Sequence, residues 1–140
     1  MTDQDIAEKS AAVFWEGDRF SRGLGIELVE VSPGMATTRV QVSAAHLNVH
    51  DTAHGGMLFA LGAAAFGVAC NSHGTKAVAQ TVSVIYTDRA VAEDVIEARA
   101  QEISRAGKTA VFDITLSGSD GAVVAMLRGV ARTISGSLLG

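Results

Sequence analysis

The spacing of apolar and polar residues divides the chain into a helical start, a β hairpin, one unusually apolar stretch and a β-rich second half. Residues 3–16 carry Ile6, Ser10, Val13 and Phe14 at helical spacing on one face, with Asp5, Glu8 and Lys9 elsewhere. Thr2 or Asp3 is placed to cap this N-terminal helix, which lies within residues 1–20. Residues 24–31 predict a strand, Pro33-Gly34 its turn, and residues 35–42 a second strand in which Ala36, Thr38, Val40 and Val42 share a face. The pattern then breaks: residues 43–53 form an irregular polar loop. Residues 54–72, from His54 to Ser72, read as one helix stopped before Gly74. That helix is apolar on every side, so it must be covered all round rather than on one face. Alternation returns over residues 78–86, 95–103, 109–116 and 122–134, with Ala106-Gly107 and Ser119-Asp120-Gly121 as hairpin connections.

A helix that needs cover and a sheet that needs something to cover predict an α+β arrangement, an antiparallel sheet wrapped around one long central helix. No linker, repeat or low-complexity run divides the chain, so residues 1–140 are expected to form a single domain. The composition fits: 48% of the residues are hydrophobic and the formal net charge is only −4, which excludes disorder and disfavours a nucleic-acid surface. One cysteine, Cys70, cannot form an internal disulfide, and the acidic first residues do not resemble a secretion signal, so a reducing cytoplasmic setting is expected. The apolar centre of the helix is too short for a membrane span of about 20 residues.

The candidate chemistry gathers in the run from Asn48 to Gly56, with His50, Asp51, Thr52 and His54 between them. This polar loop enters the start of the apolar helix, whose first amides have no partner within it and carry partial positive charge. Gly55 and Gly56 lack side chains, so a substrate oxygen could approach their N–H groups and be polarised there. A capped helix start packed on the sheet explains the same residues without chemistry. Metal binding is not expected, because His46, His50, His54 and His73 are loosely spaced and no second cysteine is present. Ser72 lacks an orienting acid, Cys70 reads as a small core residue, and Trp15 and Phe20 as core or subunit contacts.

The pattern Asn48-x5-His54-Gly55-Gly56, the apolar run that follows, and Phe66-x3-Cys70-Asn71-Ser72 resemble the hotdog-fold acyl-CoA thioesterases of the PaaI type, named for phenylacetic acid degradation. The resemblance covers residues 24–135 and implies a sheet wrapped around the central helix. It also implies homo-oligomers, dimers paired into tetramers, with active sites between subunits and no cofactor beyond the coenzyme A of the substrate. By that analogy the Gly55 amide polarises a thioester carbonyl, Asn48 orients substrate or water, and His54 supports the loop and the bound acyl group. A carboxylate from the partner's helix acts as base or nucleophile, freeing coenzyme A from phenylacetyl or hydroxyphenylacetyl thioesters.

The sequence departs from the pattern at the acid itself. The family's Asp falls nine residues after the motif histidine, where this chain has Ala63. Nine residues at 100° place it on the opposite helix face from His54 and about 13 Å along, suited to a partner's site. Ala63 can neither take a proton nor attack carbon. The chain is therefore expected to be an inactivated thioesterase, the alternative being a non-catalytic acyl-CoA binding or sensing protein. Asp51 is the nearest loop residue that could replace the base, although a loop-stabilising role suits it, and His46 and His50 read as loop residues. A hotdog dehydratase or hydratase is a third possibility that His54 alone does not satisfy. Gly56, Arg89, Arg105 and Lys108 are the candidate substrate-binding residues, the three cations for the phosphates; Arg128 and Arg132 are weaker candidates.

Overall fold

A computed structural model describes all residues, Met1 to Gly140. Helix α1 spans Asp3–Gly17 and opens with a reciprocal cap: the Thr2 hydroxyl accepts from Asp5 N–H, and the Asp5 carboxylate accepts from Thr2 N–H, both at 3.1 Å. That N–H contact holds the Asp5 carboxyl below its usual range. The buried face is Ala7, Ser10 and Ala11; Val13, expected on it, is 48% exposed. The sequence places Val13 a third of a turn from that stripe, and the small residues seat closer to the core. A separate short helix follows, α2 at Arg19–Gly23, capped by Asp18, so the expected strand from residue 24 begins three residues later.

Six strands complete the fold: β1 Glu27–Ser32, β2 Met35–Gln41, β3 Thr75–Tyr86, β4 Val95–Ala106, β5 Thr109–Gly118 and β6 Val123–Ser137. They form one antiparallel sheet in the order β1-β2-β4-β5-β6-β3. Between β2 and β3 lie a single 3-10 turn, Ala44–His46, and helix α3, Gly55–Cys70. The second-half strands run two or three residues beyond their expected ends, because ladder bonds continue where the apolar alternation has stopped.

The sheet curves around α3, which touches all six strands. Eleven of its sixteen residues are buried, which is why it shows no apolar stripe. Its small residues have packing partners: a methyl at Gly62 would sit 2.8 Å from Leu127, and one at Gly67 2.8 Å from Phe14 of α1. From the sheet side, Phe66 lies over Gly129 and meets Phe112 edge-on, with ring centroids 5.4 Å apart. Thr38 on β2 donates to the Leu61 carbonyl at 2.9 Å, tying helix to sheet by a polar contact in the core. The C-terminal end of α3 is pinned by Asn71, whose side chain donates to Gly67 and Ala77 carbonyls and accepts from Ala77 N–H. Ser72 donates to the Ala69 carbonyl and accepts from Gly34 N–H in the β1–β2 turn. The Cys70-Asn71-Ser72 run is thus structural. No helix is long and apolar enough to cross a membrane.

Candidate active site

At the start of α3 the backbone turns sharply. Asn48 holds this turn with its carbonyl oxygen, which accepts from His50 N–H at 2.9 Å, Thr52 N–H at 3.2 Å and the Thr52 hydroxyl at 3.1 Å. Its Nδ2 amide makes no bond in the chain and stays available as a donor. Asp51 forms the tip at φ +60°, a left-handed conformation that Asp tolerates, and it is exposed. His46 braces the loop from outside: its Nδ1 accepts from Ser43 N–H, and its Nε2 donates to the Leu24 carbonyl at 2.8 Å.

His54 is the N-cap of α3. Its Nδ1 accepts from Gly56 N–H at 2.8 Å, which places the ring proton on Nε2. Gly55 N–H, by contrast, has no acceptor within the chain. It is an open amide at the positive end of a buried helix, the arrangement that stabilises developing negative charge on a carbonyl oxygen. Of the two glycine amides expected to be free, only this one is; the other fixes the histidine.

Tyr86, at the end of β3, completes the site and was not singled out by sequence. Its hydroxyl donates to the Gly55 carbonyl at 2.8 Å, and its ring covers Gly55 so closely that a methyl there would lie 3.0 Å from it. The requirement for glycine at position 55 thus has a steric as well as a chemical cause. Locally Tyr86 is one more exposed strand residue; only the pairing across 31 positions gives it a role.

A groove of about 430 Å³ runs along α3 from this point. Gly56, Phe59, Ala60, Ala63 and Ala64 form one wall, and Asp18, Phe20 and Ser21 the other. Ala63 therefore shares a face with Gly56, seven residues earlier, and both are about half a turn round the helix from His54. Along the axis, the seven residues from Gly56 to Ala63 amount to about 10 Å.

The three candidate phosphate contacts are not brought together within one chain. Arg89 adjoins the helix start, next to Ala90, whose carbonyl accepts from Ala53 N–H. Three carboxylates, Asp88, Asp94 and Asp120, line the same depression. Arg105 and Lys108 lie at the other end of α3, around Cys70, His73 and Glu102. Arg128 is already paired: its Nε and Nη2 donate to Asp113 at 2.7 and 2.8 Å, an exposed fork that holds the Asp113 carboxyl below its usual range. Burial pushes the Cys70 thiol up to about 12, so it stays protonated and inert, as a core residue should.

Residues 50–125, more than half of the chain, match the Thioesterase superfamily. The chain is 34% identical to the acyl-coenzyme A thioesterase PaaI of Escherichia coli K12, over 96% of each sequence. The solved structure of the E. coli PaaI protein superposes with a TM-score of 0.94 at 33% identity, covering 97% of this chain and 99% of that one. A variant of the phenylacetic acid degradation protein PaaI from Thermus thermophilus gives 0.81 at 35% identity, covering 84% and 100%. With the wrapped helix and the glycine amide at its start already in place, the chain belongs to the thioesterase superfamily, as a hotdog-fold protein of the PaaI type.

Proposed function

We propose that the chain acts on phenylacetyl-type and hydroxyphenylacetyl-type acyl-CoA thioesters, hydrolysing them to free acid and coenzyme A in aromatic catabolism, with turnover held low by Ala63. The observation that carries this reading is the unpartnered Gly55 N–H at the start of α3. The thioester oxygen sits on that amide and gains hydrogen bonding as negative charge develops. Gly56 allows the acyl group to come close, Asn48 Nδ2 orients the carbonyl or the water, and the His54 Nε2–H supports the bound acyl chain. The acyl preference comes from the likeness to PaaI proteins.

The site belongs to two copies. Arg105 and Lys108 lie at the far end of α3 from Gly55, and antiparallel helices of two chains bring them to one another's helix starts. Phosphate contacts then come from Arg89 of one chain and from Arg105 and Lys108 of the other. The open groove beside α3, Phe20 at 69% exposure on its rim, and the free edge of β3 support pairing, with dimers assembling into tetramers. The protein works in the cytoplasm with no resident cofactor and no nucleic-acid or membrane partner.

A second reading, non-catalytic binding or sensing of acyl-CoA, is favoured by Ala63 alone. Release of coenzyme A from hydroxyphenylacetyl-CoA separates the two. Restoring the acid, Ala63→Asp, should raise the rate by about a hundredfold or more. If both forms bind the thioester and neither releases thiol, the sensing reading replaces this one.

A further inference from the structure

Position 63 has lost its carboxylate, yet the groove has not. Asp18 is the one ionisable side chain among the residues lining it, and the path of the chain sets its height along α3. Phe14 rests on Gly67, and the Leu24 carbonyl is bonded to His46, whose own carbonyl accepts from His54 N–H. Residues 14–24 therefore run antiparallel to α3, from its fourth turn back to its start. Asp18, four residues beyond Phe14, comes opposite Ala63. Its carboxylate is held in place: Oδ1 accepts from Ser21 N–H at 3.1 Å and Oδ2 from the buried Ser21 hydroxyl at 2.6 Å. Two bonds leave lone pairs open on both oxygens, and small Ala60, Ala63 and Ala64 leave space in front of them.

On the thioesterase reading above, we propose that Asp18 supplies the carboxylate missing at position 63 and is the general base for the chain's remaining hydrolysis. Asp18 takes a proton from water as the water oxygen bonds to the thioester carbon. The carbon–sulfur bond then breaks, and the protonated Asp18 returns its proton to the departing thiolate. Thioester and water become carboxylic acid and thiol, and the carboxylate is regenerated. Because Asp18 occupies the same groove and height as position 63, it serves the same site that an acid there would serve.

The test is coenzyme A release from hydroxyphenylacetyl-CoA by four forms: the chain itself, Asp18→Asn, Ala63→Asp and the double variant. Asn retains an acceptor for Ser21 N–H, so the α2 cap persists, and a melting curve checks that it does. Asp18→Asn should lower kcat by about a hundredfold with KM little changed. In the Ala63→Asp background the same change should cost far less, because the restored acid carries the proton. Equal rates for the chain and Asp18→Asn, including no turnover by either, overturn the proposal and leave Asp18 a helix cap. The thioesterase reading is judged separately, by whether Ala63→Asp hydrolyses the substrate at all.

Discussion

Asn48 has two chemically different halves, and only one is committed to structure. Its oxygen takes three hydrogen bonds that shape the turn, while its Nδ2 is unpaired. Replacing it with Asp keeps the acceptor and removes the donor, so Asn48→Asp should leave the melting temperature nearly unchanged and lower kcat/KM for acyl-CoA hydrolysis by about tenfold or more in an Ala63→Asp background. That range corresponds to about 1.4 kcal/mol, the worth of one hydrogen bond to a polarised group. Asn48→Ala removes both halves and should lower the melting temperature as well. The turn and the special glycines were legible in the sequence because loop, glycine and helix start are neighbours in the chain. The division of labour was not: which of Gly55 and Gly56 keeps a free amide depends on where the His54 ring turns, and Tyr86 arrives from a strand 31 residues away.

Among the elements, α3 was the most legible, since a long uncharged run can be satisfied only by burial on all sides. The core face of β2 was equally plain, with Ala36, Thr38 and Val40 all buried. Helix α2 was missed: five residues leave no room for helical periodicity to show, and its cap, Asp18, reads as one more loop acid. The close approach of α3 to the sheet yields a test. Gly129 lies under Phe66, and an added methyl would meet that ring at 2.8 Å with Phe112 behind it. Overpacking of this kind costs about 1–3 kcal/mol, so Gly129→Ala should lower the melting temperature by about 3–10 °C. Gly23→Ala, where the methyl meets nothing within 4 Å, should move it little.

For the whole molecule, the sheet has two ends. β3 forms one of them, a twelve-residue strand with one side unpaired, and Val78, Ile85 and Tyr86 along it are all more than 40% exposed. A free edge of that length is a template for another strand, and in the pairing proposed above a second copy of β3 fills that role. Light scattering at micromolar concentration should give a mass at least twice the 14.4 kDa of the chain. A monomer would contradict the shared site.

The strand order has a further effect, on synthesis. β2 pairs with β4, so the ladder that covers much of α3 joins residues on either side of it, and β4, β5 and β6 all come later in the chain. The most apolar segment therefore leaves the ribosome with α1, β1 and β2 already made but before the other four strands that cover it. The 70 residues from Asn71 to Gly140 need roughly 4–14 s at ordinary elongation rates. During that interval α3 is covered on one side only, a natural client for holding chaperones, and slow codons upstream of β4 would lengthen that half-covered stage.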